Sequence, residues 1–158
     1  MKPATVHEIK KALATVDPDQ LTEMILRLAK FKKDNKELLT YLLFEADDED
    51  AYVSAVKAQM DEYFEDVNHS SIFLTKKTIR KIVRFQTKFI RYSGKKETEI
   101  DLRIYFCEKM KSERIPIRRS RVLGNMYASQ IKKIKTTMGK LHEDLQYEYE
   151  GRLERLTG

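Results

Sequence analysis

The chain has 158 residues, 41% hydrophobic and 35% charged, with five Gly, three Pro and a single Cys. A chain of this length can bury roughly 70% of its unfolded surface as one domain, which removes any need for disulfides or a structural metal. The composition excludes a disordered tail. It also excludes an all-β fold, because residues 38–66 contain neither Gly nor Pro, whereas short strands need a turn signal about every 8–12 residues.

The net charge of +6 is unevenly spread. Residues 1–68 carry 9 cations and 15 carboxylates, residues 69–140 carry 20 and 5, and residues 141–158 carry 2 and 5. A basic middle between acidic flanks is the strongest long-range signal in the sequence. No run approaches the ~18 consecutive apolar residues of a membrane span. The lone Cys107 cannot form an internal disulfide, and no apolar leader opens the chain. Together these point to the reducing cytoplasm.

Helix starts are legible in order. Thr5 with Glu8 reads as a capping box, and Asp17-Pro18-Asp19-Gln20 places a cap before Pro in the first helical position. Asp34 with Glu37 marks a third start, and Asp47-Asp48-Glu49-Asp50 sets carboxylates at the positive end of a fourth helix. The first four helices are expected at about 5–15, 18–32, 35–45 and 49–66. Their apolar residues recur at helical spacing: Leu21, Met24, Ile25, Leu28 and Phe31; then Leu38, Leu39, Leu42 and Leu43, widened by Tyr41 and Phe44; then Tyr52, Val53, Val56, Met60, Tyr63 and Phe64. These stripes predict core faces. A helix of about twenty residues follows Asn68-His69-Ser70-Ser71 and ends near Gly94, a natural left-handed cap. Another covers about 97–114 and stops before Pro116. The remainder reads as one long helix with Gly139 as a point for a bend. In it Tyr127, Ile131, Ile134, Met138, Leu141 and Leu145 form a short heptad seam, extended by Tyr149, Leu153 and Leu156.

The opening from His7 to Leu13, followed by Asp17 to Ala29 and by Asn35-Lys36-Glu37-Leu38-Leu39, resembles small bacterial all-helical proteins of unknown function. The resemblance covers the first 45 residues or so. It implies an α-superhelical or bundle fold, and it carries over no active-site residue and no ligand.

Catalytic constellations do not emerge. His7, His69 and His142 are far apart in sequence, Asp66 and His69 alone share a ligand-like spacing, and the Asp47–Asp50 cluster lacks the central Gly of a calcium loop. Cys107 sits among Ile104, Tyr105, Phe106 and Met110, as a buried small hydrophobe would. Walker loops, nucleophile elbows and dinucleotide fingerprints are absent.

The feature with geometry is the fifth helix. At 100° per residue Ile79, Ile82, Val83, Phe89 and Ile90 share one face, and Lys77, Arg80, Lys81, Arg84, Lys88 and Arg91 share the opposite one. The cations span about 21 Å with no carboxylate between them. Arg118, Arg119 and Arg121 extend the basic region, and Lys132, Lys133 and Lys135 carry it to 135. Phe85, Tyr92 and Tyr105 lie near enough in sequence to stack on bases, although a place in the core suits them better.

The sequence thus predicts an all-α fold of about seven helices in antiparallel hairpins, as a helical bundle or a short α-α superhelix, in a single domain spanning 1–158. The expected function is that of a non-catalytic binding or scaffold module engaging another protein through its basic helix face. The alternative is sequence-independent binding of a nucleic-acid backbone by the 77–135 region. Self-association is a further expectation, through acidic and basic regions of two copies or through the C-terminal heptads. No cofactor, metal, small-molecule ligand or membrane insertion is implied.

Overall fold

A computed structural model describes residues 1–158 and is helical throughout, with no strand. The chain divides into two compact units, Met1–Phe44 and Glu45–Gly158.

The first unit holds α1 (Val6–Leu13), α2 (Pro18–Phe31) and α3 (Lys33–Thr40), which runs into a π-helical turn, Tyr41–Glu45. The capping box forms as the sequence implies: Thr5 Oγ1 accepts from the Glu8 amide and Glu8 Oε2 accepts from the Thr5 amide at 2.7 Å. Asp17 Oδ1 accepts from the Gln20 amide at 2.9 Å, with Pro18 in the first turn of α2. The third start differs from expectation. It falls at Lys33, after a Lys32 cap that makes no side-chain bond, and Asp34 lies inside the first turn. The link between α2 and α3 is a single extended residue, Lys32, and Asn35 closes it by donating to the Leu28 carbonyl at 2.8 Å.

The second unit is a five-helix bundle of α4 (Glu49–Glu65), α5 (Ile72–Ser93), α6 (Lys96–Ser112), α7 (Arg121–Met138) and α8 (Glu143–Thr157). Side-chain caps set most of the starts: Asp48 for α4, Ser71 for α5, Ser120 for α7 and His142 for α8. Gly94 ends α5 at φ 69°, a conformation that costs an L side chain more than it costs Gly.

Helix α6 runs through the middle and packs on α4, α5, α7 and α8. Its buried residues, Thr98, Ile100, Leu102, Arg103, Ile104, Phe106, Cys107 and Met110, cover about two thirds of its circumference, and Glu97, Asp101, Tyr105 and Glu108 occupy the partly exposed remainder. A helix buried over so wide an arc has no narrow apolar stripe. The surrounding helices are more one-sided: α5 buries Thr75, Ile79, Ile82, Gln86 and Ile90 on one face, with Tyr92 buried near its end, and α4 buries Tyr52, Val56, Met60 and Phe64.

The expected long C-terminal helix is two helices. It breaks after Met138 through Gly139, Lys140 and Leu141, and His142 caps a new start by accepting from the Asp144 amide. Helix α8 folds back on α7, and the Tyr127 hydroxyl donates to the Leu156 carbonyl at 2.7 Å. The heptad seam is consequently internal, with Ile131, Ile134, Met138 and Leu156 buried. The chain forms eight helices rather than seven.

Polar ties between parallel helices recur at a sequence offset of 44. Lys57 donates to Asp101, Tyr105 to Asp61, Gln86 to Gln130, and Arg152 to Glu108. They set α4 alongside α6, α5 alongside α7 and α6 alongside α8. One tie lies in the core. Gln130 Oε1 accepts from Gln86 Nε2 at 2.9 Å and from Arg103 Nη1 at 2.8 Å, while Arg103 Nε donates to Glu99 at 2.8 Å. Gln86 Oε1 is buried without a partner.

Candidate functional site

The predicted basic face is present on the outside of α5. Lys77, Arg80, Lys81, Arg84 and Arg91 are exposed, and Lys88 is half-buried with its ammonium 5.9 Å from the Phe89 ring centre. Lys81 lies 4.0 Å over the Tyr63 ring, a cation–π contact that fixes one flank of the row. Lys77, Arg80, Arg84 and Arg91 form no ion pair. Lys57, Lys95, Arg103, Lys109 and Arg152, on other helices or faces of this unit, do form ion pairs.

Arg118 and Arg119 sit in the turn before α7, and Arg121 is its first residue; all three are exposed. Because the Gln86–Gln130 bond sets α5 beside α7 in parallel, Arg121 stands at the level of Lys77, at one end of the bundle. The structure brings these two groups to that end. Lys132, Lys133 and Lys135 are exposed farther along α7, level with Lys88 and Arg91.

The aromatic residues beside the basic face are occupied by packing. Phe85 meets Tyr63 edge-on at 5.2 Å and Phe89 at 4.4 Å, Tyr92 is buried, and the Tyr105 hydroxyl donates to Asp61 at 2.6 Å. Burial, with the Asp61 bond, pushes the Tyr105 phenol well above its ordinary range.

A second surface was not anticipated. The stripes of α1, α2 and α3 were expected to form core, yet Ala29 is the only buried residue of these three helices. Ile9, Leu13, Leu21, Met24, Ile25, Leu28 and Phe31 line an open groove of about 650 Å³ between α1 and α2, with Arg27 at its edge. Ile25 and Leu28 also line a shallower depression with Leu38, Leu39 and Leu42 of α3 and its π turn, so the apolar surface is continuous across the unit. Phe31 is 77% exposed and Leu28 59%. A sequence signal for this exists: three helices of 8, 14 and 8 residues are too short to enclose so many large side chains.

A polar cleft of about 600 Å³ separates α4 from α8 over α6, lined by Lys57, Asp101 and Tyr149 among others. Asp101 accepts from Lys57 Nζ at 2.7 Å and Arg152 Nη1 at 2.8 Å. Burial works to raise the Asp101 pKa, but these two cations prevail and hold the carboxyl below its ordinary value. Arg152 reaches Glu108 through two further bonds, at 3.0 and 2.8 Å. At the near end Glu49 accepts from Ser93 and from Thr98 at 2.6 Å. Asp101 and Glu49 thus spend their oxygens on holding helices together.

Three or more His, Cys, Asp or Glu side chains converge nowhere in a metal-holding group. His69 is exposed. Cys107 is fully buried, and desolvation with the neighbouring Glu108 pushes its thiol up to about 12. A thiol in that state is a poor nucleophile near neutral pH. No helix is long and apolar enough to cross a membrane. Compared with family models, with curated proteins and with solved structures, the chain matches none.

Proposed function

We propose that the chain is a non-catalytic helical binding module that docks an acidic protein surface through the outer face of α5. The observation that carries this reading is the row Lys77, Arg80, Arg84 and Arg91, exposed and free of ion pairs along one helix face. Four such cations cost little to leave in water. They speed and orient the approach of a negatively charged partner, more than they add to final affinity. A protein partner is favoured over bases because Phe85, Tyr92 and Tyr105 are committed to internal packing, and sequence-tolerant nucleic-acid binders rely on free aromatic platforms. The free thiol of Cys107 suits a reducing compartment.

One observation favours the second reading, a nucleic-acid backbone. Arg118, Arg119 and Arg121 add cations beside the Lys77 end of α5, which suits a polyanion that contacts more than one helix.

Fluorescence anisotropy with a labelled oligoglutamate peptide and with labelled single- and double-stranded oligonucleotides, at about 50 and 200 mM salt, separates the two. Peptide binding that weakens with salt and disappears in the Arg80→Glu, Arg84→Glu variant is expected. An oligonucleotide bound more tightly than the peptide, with a 10³-fold or larger loss between these salts, transfers the site to nucleic acid. No salt-sensitive binding to either probe ends both readings.

A further inference from the structure

We infer that the apolar face of Met1–Phe44 is a homodimer interface, packed against the same face of a second copy of this chain. The inference is independent of the basic face, and it starts from insufficiency. Only Ala29 and Tyr41 are buried in this 44-residue unit, while Ile9, Leu13, Met24, Ile25, Leu28, Phe31, Leu38 and Leu42 remain exposed. A unit of that size with so little core lies where oligomerisation supplies the missing burial. The cover must then be present whenever the chain is folded, a condition that another copy of the same chain meets at every concentration where it is made.

Area agrees with this occupant. The eight exposed side chains leave on the order of 700 Å² open, close to the ~800 Å² that each partner gives to a standard interface. That is also larger than the apolar patches that most monomers carry.

The helix dipole sets the arrangement. Unit 1 has eight Lys and Arg and six Asp and Glu, so two copies meet without strong net repulsion. Asp19, Glu23 and Lys30 lie on the side of α2 away from the groove and stay in water. Two α2 helices placed antiparallel through the apolar face oppose their helix dipoles. A parallel pair sets like dipole ends together. Antiparallel packing about a two-fold axis is also the symmetry in which one patch can be its own complement. Ile25, mid-way along α2 and shared by both depressions, is the residue nearest that axis.

Sedimentation equilibrium of the full chain, from about 1 to 100 µM, reads the outcome. Wild type is expected at twice the 18.7 kDa chain mass. The Leu28→Asp, Phe31→Asp variant is expected as monomer, its dissociation constant raised at least 100-fold, with the bundle's thermal melt retained as a folding control. An Ile25→Cys variant is expected to form an interchain disulfide under mild oxidant, and a Glu23→Cys variant on the outer side of α2 is not. A wild type monomeric at 100 µM overturns the inference. So does a dimer that survives the double Asp variant, or one that never cross-links through Ile25→Cys.

Discussion

Residues Met1–Phe44 and Glu45–Gly158 are built from similar amphipathic helices but use their apolar residues differently. Of the 23 buried hydrophobic residues, 21 belong to the second unit, and of the 17 large hydrophobics left exposed, 13 belong to the first. The helical period is clear in α1, α2 and α5 and nearly absent in α6. What differs is the number of helices available to close around a centre. Four helices pack around α6, whereas the three short helices of the first unit leave a side open. Periodicity therefore identifies a face that wants cover, and only the count and length of the elements decide whether the chain supplies that cover itself.

The comparison can be broken most directly by cutting the same side chain in both units. Phe106→Ala, at a position with no exposure, is expected to cost about 4 kcal/mol in chemical denaturation. Phe31→Ala is expected to change the monomer's stability by under about 0.5 kcal/mol. Equal costs would mean that the first unit has a core after all. Next in size is the buried polar tie. Gln130→Leu removes the acceptor shared by Gln86 and Arg103, with an expected loss of about 3 kcal/mol, since a donor stranded in the core cannot return to water.

The ion pairs over α6 give a smaller effect that pH can resolve. The folded Asp101 pKa lies below the unfolded value, so its contribution is complete above about pH 4 and is lost as pH falls through the depressed folded value. Thermal melts from pH 7 down to about pH 2 should show this loss, and Asp101→Asn should flatten that part of the profile. Ser120→Ala, which deletes the α7 cap bond to the Leu123 amide, is expected to cost about 1 kcal/mol. Smallest of all, Arg84→Ala on the exposed face of α5 should leave the melt within about 0.5 kcal/mol while weakening binding of an acidic probe.

Local signals made much of the fold legible. Thr5, Asp17 and Ser71 act on amides three residues away, and Gly94 on its own φ, so each could be read without knowing what the helix packs on. The basic row was legible for the same reason, because six cations on one helix face follow from the helical angle alone. At Gly139 a bend was legible, but the full reversal of the chain was not. Gly139 is right-handed, at φ −60°, and the heptad spacing runs unbroken across it, so the reversal is imposed by packing against α6. The central place of α6 was hidden too, since burial over most of its circumference blurs the stripe that periodicity looks for. Arg103 is a buried charge on α6, tolerated because Glu99 and Gln130 receive its donors.

The offset of 44 residues also has a consequence in time. During synthesis Arg152 leaves the ribosome 44 residues after Glu108, a wait of about 2–9 s at ordinary elongation rates. Throughout that interval the side of α6 awaiting α8 presents Asp101 and Glu108 to solvent. An apolar seam there would offer a nascent chain a sticky edge during those seconds. Carboxylates keep it wetted until the arginine that will neutralise them arrives.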